Sequence, residues 1–329
     1  MFGTGVRLDH EVFSPTIHRT DPGLDAATWA AAHRSAIDAL RTEHGAVLLR
    51  GFEVCDPASF QRLSAALVDE LYGEYGDLPH EKDSDQVYKS TPYPEDQSIL
   101  FHHESSHLPQ WPTRQFFCCL QPSPRGGTTP IVDGREVYRQ LPEELVARFT
   151  EHGIRYTRNF IRGLDVGWPE MFGTDDRDEV ERRCAAQGVA CEWLPDGTLR
   201  TRQWAPAVLQ HPTTGEWVFF NQLFLHHTAC LEPSMRETMR ALFGDDESTY
   251  PRSAAFGDGS PIDDGTVAEL LALYERLALR FPWQRGDVLA IDNMLVSHGR
   301  DPFEGDRKIT VTMGDMMVRD ALPGGAPRA

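Results

Sequence analysis

The chain has 329 residues, of which 40% are hydrophobic and 25% are charged, and its formal net charge at pH 7 is -18. This acidic balance argues against nucleic-acid binding, which needs a basic surface, and against attachment to anionic membranes. The sequence contains no apolar run long enough to span a bilayer and no secretory signal at the N-terminus, so we expect a cytoplasmic protein.

The six cysteines form no C-x-x-C pair, which makes a zinc knuckle or a thioredoxin-type motif improbable. In a long chain without a secretory signal, we expect all six to be reduced thiols that serve as small core residues. They are Cys55, Cys118, Cys119, Cys184, Cys191 and Cys230.

Hydrophobic periodicity and turn residues predict the secondary structure in chain order. The first half is predicted to contain a helix over 28–44 capped by Thr28 and ended by Gly45, a strand over 46–52, a helix over 57–72, a Pro-rich loop over roughly 76–97, and strands over 98–104 and 114–121. The second half is predicted to contain a helix between Pro142 and Gly153, a helix over 175–187, strands within 199–222 with a turn at Thr214 and Gly215, a helix over 265–280, and strands over 287–299 and 307–318.

Many strands accompanied by a few long helices favour an α+β fold around a β-sandwich or barrel. No internal repeat or linker divides the chain, so we predict a single domain over residues 1–329 with inserted segments. The first residues and the tail LPGGAPRA are expected to be frayed ends.

A candidate metal site begins with His102 and Glu104, which are two residues apart. On a strand, such residues point to the same face, so they could hold one ion together with a second histidine. His298, which follows the apolar segment VLAIDNMLV, is that candidate. Two histidines and one carboxylate leave open positions on Fe(II), as iron oxygenases require. About two H-x-[DE] matches are expected by chance among 13 His and 50 acidic residues, so the spacing alone is weak evidence. The stronger evidence is that the match lies on an apolar predicted strand and that His298 follows another.

An overlapping motif offers an alternative interpretation. Residues 103–107 read HESSH, which is the H-E-x-x-H signature of zinc peptidases. That signature requires a helix, whereas Pro109 and Pro112 follow it and the preceding residues, SILF, favour a strand. A zinc hydrolase is therefore the weaker hypothesis.

Six segments follow one another over roughly residues 45–315: GAVLLRGF, YKSTPYPEDQSILFHHESSH, PRGGTTPIVDGREVYRQLP, HPTTGEWVFFNQ, FGDGSPI and WQRGDVLAIDNMLVSHGRDPFEGDRKITVTM. In these segments and in their order, the sequence resembles the TauD/TfdA superfamily of Fe(II)- and 2-oxoglutarate-dependent dioxygenases and, within it, the SyrP-like branch. The resemblance implies a distorted double-stranded β-helix, the clavaminate synthase-like jelly roll, with flanking helices and insertions.

The same resemblance implies the roles of individual residues. By motif, His102, Glu104 and His298 correspond to the iron ligands, Arg307 to the arginine that pairs with 2-oxoglutarate, and Thr129 to a threonine that hydrogen-bonds it. Arg300 remains a rival for Arg307, because the interval between the distal histidine and the arginine varies in the superfamily. Three further histidines, His211, His226 and His227, are candidates to bind a metal or the substrate, although a structural role is the better supported interpretation for each. Asn221 and Gln222 are candidates to line the pocket, and a structural role is equally well supported for them.

The implied function is an oxygenase that uses Fe(II), O₂ and 2-oxoglutarate, releases succinate and CO₂, and most simply hydroxylates an unactivated C–H bond. The branch acts on free amino acids and on aminoacyl groups tethered to carrier proteins. Because carrier proteins are typically acidic, the charge of -18 favours a small amino-acid-like substrate. Carrier-bound substrates, and desaturation, epoxidation or cyclisation, remain open, as does the oligomeric state.

Overall fold

The computed structural model describes residues 2, 4–10, 15–73, 80, 81, 84, 86–90 and 93–321. The tail and parts of the loop predicted over 76–97 lie outside these residues. No helix among the described residues has the length and apolar character needed to cross a membrane.

The described strands are β1 (Val6–Asp9), β2 (Thr16–Arg19), β3 (Ala46–Arg50), β4 (Tyr88–Lys89), β5 (Ile99–His102), β6 (Gln110–Gln121), β7 (Arg125–Gly126), β8 (Ile131–Asp133), β9 (Ile154–Asn159), β10 (Ala190–Trp193), β11 (Leu199–Ala205), β12 (Val208–Gln210), β13 (Trp217–Phe219), β14 (Arg252–Phe256), β15 (Val288–Asp292), β16 (Val296–Arg300), β17 (Phe303–Glu304) and β18 (Lys308–Val318).

The described helices are α1 (Ala26–His44), α2 (Pro57–Ala65), α3 (Gly134–Gln140), α4 (Glu143–His152), α5 (Trp168–Phe172), α6 (Arg177–Ala186), α7 (Leu223–His226), α8 (Pro233–Phe243) and α9 (Asp264–Leu277). Short 3₁₀ turns occupy Thr228–Cys230, Glu247–Thr249 and Arg319–Ala321.

Contacts between residues divide the chain into two compact units. Unit 1 comprises the chain up to Glu104, Trp111–Gly134 and Leu277–Met317, and unit 2 comprises Ser105–Gln110, Arg135–Arg276 and the chain from Val318 onward. That the whole chain forms a single domain stays a prediction.

Two larger sheets form the body of unit 1, which also contains the two-stranded sheet of β7 and β17. The larger has the order β1-β2-β3-β15-β6-β18-β4, and the smaller has the order β5-β16-β8. Phe117 of β6, in the large sheet, contacts the ring of His298 of β16, in the small sheet, at 4.9 Å between ring centroids. The inner faces of the two sheets therefore meet around His298, which is the arrangement of a distorted double-stranded β-helix.

Helices α1 and α2 cover the outer face of the large sheet. Trp29 and Ile37 of α1 and Phe60 of α2 are buried in one apolar cluster with Val47 and Leu49 of β3. This burial explains the helical spacing of these residues, because the apolar face of an amphipathic helix must pack against the core.

Unit 2 contains the four-stranded sheet β10-β11-β9-β14 and the hairpin β12-β13. A small core of Phe160, Val180, Cys184 and Leu199 joins α6 to this sheet. All six cysteines are free thiols, as the sequence predicts.

Several predicted elements differ from those observed. Asp25, rather than Thr28, caps α1, because its carboxylate accepts a hydrogen bond from the Thr28 amide at 2.9 Å. Helix α2 ends at Ala65 instead of continuing to residue 72. The segment predicted as one strand over 287–299 is two strands, β15 and β16, with Asn293–Leu295 between them.

Candidate metal centre

His102 and His298 meet on adjacent antiparallel strands. They are Cα partners in the pairing of β5 with β16, and their rings lie 4.3 Å apart between centroids. The Nδ1–H of His102 donates to the Leu100 carbonyl at 2.8 Å, which leaves Nε2 as the lone-pair nitrogen. Burial, followed by the nearby His102 and His103, holds the pKa of His298 well below its ordinary value, so this imidazole is neutral. Both histidines are thus suited to coordinate a metal.

Glu104 completes the group from a turn rather than from a strand. Strand β5 ends at His102, and Ser105 has φ 57°, so the chain turns sharply directly after Glu104. The prediction that the strand extends over 98–104 is therefore wrong for its last two residues. Glu104 nevertheless lies beside His102 and His298, as expected. The Glu104 Oε2 lies 4.0 Å from the Nε2 of His102 and 4.0 Å from the Nε2 of His298.

Two amide side chains position Glu104. The Gln115 Nε2 donates to the Glu104 Oε2 at 3.2 Å. Asn293 is fully buried, accepts from the Glu104 amide at 2.7 Å, and donates to the Glu104 carbonyl at 3.0 Å and the Pro112 carbonyl at 2.8 Å. Because Asn293 holds the backbone and Gln115 holds the carboxylate, the turn presents one defined oxygen to the histidines.

Neither Gln115 nor Asn293 belongs to a motif that the sequence makes recognisable. Features of the sequence could nevertheless have indicated both residues. Gln115 lies two residues before Phe117 on a strand, and Asn293 and its neighbour Asp292 interrupt an otherwise apolar run.

The donor set fits a single ion. One ligand atom from each of His102, Glu104 and His298 lies within 4.8 Å of the others, and all three residues are buried. Among the described residues, this is the one group of three or more His, Cys, Asp or Glu side chains that comes so close. Two imidazole nitrogens and one carboxylate oxygen are the facial ligand set of non-haem Fe(II) oxygenases.

A cavity opens on these three residues. Arg307 and Thr129 line it on the polar side, and Ile99, Phe117, Ile309 and Val311 contribute apolar walls. The Arg307 Nε donates to the Gly127 carbonyl at 2.9 Å, and its Nη2 lies 3.5 Å from the Thr129 hydroxyl. Burial, assisted by the charge of Arg300, lowers the pKa of Arg307 to about 10, so Arg307 remains a cation at neutral pH.

Arg300 also lines the cavity, but its guanidinium is engaged elsewhere. Its Nη1 donates to the Tyr93 carbonyl at 3.0 Å, and its Nη2 donates to the carbonyls of Pro94 and Gln97. Neither Asp301 nor Glu304 binds Arg300. Asp301 pairs with Arg280, and Glu304 pairs with Arg125. Arg300 therefore anchors the loop around residues 93–97, which leaves Arg307 as the better candidate for an anionic ligand.

Comparison with known proteins places the chain in a family. The family described as taurine catabolism dioxygenase TauD, TfdA matches residues 10–313. The chain belongs to this family.

Individual relatives agree with this assignment. The dapdiamide synthesis protein DdaC of Enterobacter agglomerans is 40% identical over 286 residues, which cover 87% of this chain and 86% of DdaC. A clavaminate synthase-like protein of Arabidopsis thaliana is 33% identical over 289 residues, which cover 84% of this chain and 83% of that protein.

Solved structures share the fold. A taurine dioxygenase from Burkholderia xenovorans aligns with a TM-score of 0.55 at 18% identity, over 98% of this chain and 96% of that one. PvcB from Pseudomonas aeruginosa aligns with a TM-score of 0.55 at 15% identity, over 99% and 98% of the two chains. The predicted α+β fold with a double-stranded β-helix is confirmed.

As a member of this family, the chain is an oxygenase that depends on Fe(II), 2-oxoglutarate and O₂. The zinc-peptidase alternative requires the HESSH motif to lie on a helix. The residues that follow His103 form turns rather than a helix, and the metal-type cluster contains His102, not His103.

Two other predicted site residues lie in unit 2. The His211 Nδ1 accepts from the amides of Thr213 and Thr214, and the Asn221 side chain accepts from the Leu223 amide at 3.0 Å. Neither is among the residues that line the cavity. Their proposed contacts with substrate stay predictions.

Proposed function

We propose that this oxygenase hydroxylates an unactivated C–H bond of an amino acid or of an amino-acid-derived biosynthetic intermediate, with His102, Glu104 and His298 as the iron ligands. The observation that carries the proposal is the convergence of these three side chains at the end of a cavity that also contains Arg307. When bound, Fe(II) supplies the activation of O₂ that cleaves 2-oxoglutarate and oxidises the substrate.

The protein's own residues bind, orient and exclude water. His102 is held by Leu100, and Glu104 is held by Gln115 and Asn293, so the open side of the metal keeps a fixed direction. Arg307 and Thr129 together offer a cation and a hydroxyl to the distant carboxylate of 2-oxoglutarate.

The walls formed by Ile99, Phe117, Ile309 and Val311 are apolar. They keep water away from the reacting groups, which favours oxidation of the bound substrate over unproductive reactions.

The substrate class is supported by relatives and by charge. DdaC is named for dapdiamide synthesis, which supports a biosynthetic role. A net charge of -18 disfavours docking of acidic carrier proteins, which supports a diffusible small molecule. Oxidation of a carrier-bound aminoacyl group, and desaturation, epoxidation or cyclisation, are the alternative outcomes at the same centre.

A screen for succinate release tests the proposal. Anaerobically loaded enzyme is mixed with 2-oxoglutarate and candidate substrates, then exposed to O₂, and succinate is quantified with and without Fe(II). We expect Fe(II)-dependent succinate that increases with one or a few amino acids or derivatives. The absence of Fe(II)-dependent succinate under every condition would contradict the assigned reaction.

A further inference from the structure

Two hydrogen-bond donors are directed at the hydroxyl oxygen of Thr129. The Trp283 indole Nε1–H donates to the Thr129 Oγ1 at 3.2 Å, and the Arg307 Nη2 lies 3.5 Å from the same oxygen. Neither an indole N–H nor a guanidinium can accept a hydrogen bond. The Thr129 oxygen is therefore the acceptor in both contacts.

The hydroxyl hydrogen of Thr129 is left without a partner in the part of the chain that the structure describes. There, Thr129 makes no hydrogen bond in which its hydroxyl is the donor. The residue is buried and lines the cavity. Because a buried donor without an acceptor is costly, we expect a ligand in the cavity to accept this hydrogen.

The chain on both sides of Trp283 is held in place. The Arg50 Nη2 donates to the Pro282 carbonyl at 2.9 Å, and the Gln284 amide donates to the Asp287 carboxylate at 2.8 Å. Arg50 and Asp287 in turn form a buried ion pair at 2.7 Å. The indole, which is also buried, is therefore fixed by a rigid frame within unit 1.

The backbone around Thr129 is fixed in the same unit. The Thr128 carbonyl accepts from the Asp301 amide at 3.1 Å, and the Pro130 carbonyl accepts from the Gly299 amide at 3.0 Å. Both neighbours of Thr129 are thus bound to the end of β16. With the two backbones fixed, the indole determines which way the hydroxyl is oriented.

Trp283 itself is not among the residues that line the cavity. It can therefore influence a ligand there only through Thr129. Without the indole N–H, one lone pair of the hydroxyl would be free, and the hydroxyl could turn its hydrogen away from the ligand. A donor that already points at its ligand binds more tightly, because less ordering accompanies binding.

We propose that Trp283 is a positioning residue of the 2-oxoglutarate site. Its indole N–H occupies one lone pair of the Thr129 hydroxyl, so this hydroxyl donates its hydrogen to the distant carboxylate of 2-oxoglutarate. The inference rests on the proposed function, which assigns Thr129 and Arg307 to that carboxylate, and it adds a residue that lies outside the cavity.

A double-mutant cycle tests whether Trp283 acts through the hydroxyl. Equilibrium binding of 2-oxoglutarate to the Fe(II)-loaded enzyme, without O₂, is measured for Trp283→Phe, Thr129→Val, Thr129→Ser and both double variants. Trp283→Phe removes the N–H and keeps an aromatic ring. Thr129→Val removes the hydroxyl at nearly constant volume, whereas Thr129→Ser keeps it.

Trp29→Phe is the matched control for the loss of volume. Trp29 is a buried tryptophan of unit 1 that packs in the apolar cluster of α1 and β3, and its Nε1 donates to no described group. Its replacement therefore removes packing from the same unit and no hydrogen bond. The Fe(II) affinity of each variant is measured as a second control.

We expect Trp283→Phe to weaken 2-oxoglutarate binding by roughly fivefold, the effect of one neutral hydrogen bond. The same loss should occur in the Thr129→Ser background. No further loss should occur in the Thr129→Val background, where no hydroxyl remains to be oriented. Thr129→Val alone should weaken binding by about tenfold, the loss of one hydrogen bond to a charged group. Trp29→Phe and the Fe(II) affinities should match the wild type.

Two results of the cycle would overturn the inference. One is wild-type affinity for 2-oxoglutarate in Trp283→Phe, and the other is an equal loss in the Thr129→Val background. If Thr129→Val and Arg307→Met still weaken binding, the proposed 2-oxoglutarate site survives either result. Wild-type affinity in both of those variants would instead contradict the proposed site together with this inference.

A second measurement needs no variant of Trp283. The chain contains seven tryptophans, whose indole N–H signals can be compared in the ¹⁵N-tryptophan spectra of the Zn(II)-loaded proteins. We expect one signal to move in Thr129→Val, where the indole loses its acceptor, and to stay near its wild-type position in Thr129→Ser. The same signal should respond to 2-oxoglutarate in the wild type. If no indole signal distinguishes Thr129→Val from Thr129→Ser, the inference is wrong.

Discussion

His102 and His298 are direct cross-strand partners, and the strand that carries His298 lies at the centre of the small sheet. The two imidazoles are therefore fixed relative to each other by backbone hydrogen bonds rather than by side-chain packing alone. Sites built on strands hold their geometry more accurately than sites built on loops.

The first prediction concerns metal binding. Replacing His298 by Ala removes one of three ligands, so we expect the Fe(II) affinity to fall on the order of a hundredfold or more. Anaerobic titration with Fe(II) measures this. His211→Ala is the control, because His211 accepts hydrogen bonds within its own turn. Retention of iron in His298→Ala together with its loss in His107→Ala would show that the triad is misassigned.

The second prediction separates the two arginines of the cavity. Arg307→Met should raise the KM for 2-oxoglutarate by about a hundredfold, the loss of a bidentate charge-assisted interaction, with a smaller effect on kcat. Arg300→Met should instead lower thermal stability, since three carbonyls of residues 93–97 lose their donor. Steady-state succinate formation and thermal unfolding of both variants check this. A reversed pattern would exchange the two roles.

The third prediction concerns the support of Glu104. Asn293→Ala removes three buried hydrogen bonds, so we expect the free energy of unfolding to fall by about 2–4 kcal/mol and Fe(II) binding to weaken. Gln115→Leu should weaken Fe(II) binding with less loss of stability, because Gln115 holds the carboxylate and not the backbone. Denaturant unfolding of the metal-free proteins and Fe(II) titration measure both effects. Equal iron affinity in Gln115→Leu and wild type would argue against its positioning role.

The fourth prediction is a pH dependence of the metal-free protein. Burial lowers the pKa of His298 in the folded state, whereas an unfolded histidine titrates near about 6.5. Below that pH the unfolded chain binds the extra proton and the folded chain does not, so this group's contribution to stability falls as pH decreases, by up to about 1.4 kcal/mol per pH unit. Above that pH the contribution is constant. His298→Asn should reduce the slope of unfolding free energy between pH 6.5 and 5.5, and an unchanged slope would contradict the shift.

The sequence predicted the metal group because residue type and motif context suffice to find His102, Glu104 and His298. It did not predict how Glu104 is held. Alternation along a strand was the expected reason, but Ser105 adopts a positive φ and the chain leaves the strand. A turn of this kind depends on Asn293, which is close in space and distant in sequence.

Other omissions have a similar cause. Strands β9 and β14 are not predicted from the sequence, and their residues Arg158 and Arg252 both pair with Asp165, which lies in a separate loop.

The pairing of His102 with His298 also constrains how the protein folds. Residues 135–276, the main segment of unit 2, lie between the two histidines in the chain. During synthesis, the ribosome must therefore release this whole segment before β16 can pair with β5. Closing so long a loop is slow compared with local folding. We therefore expect the metal group to form late in folding. Nascent or C-terminally shortened chains would have no iron to guide their folding. Their early structure would depend on the helices α1 and α2.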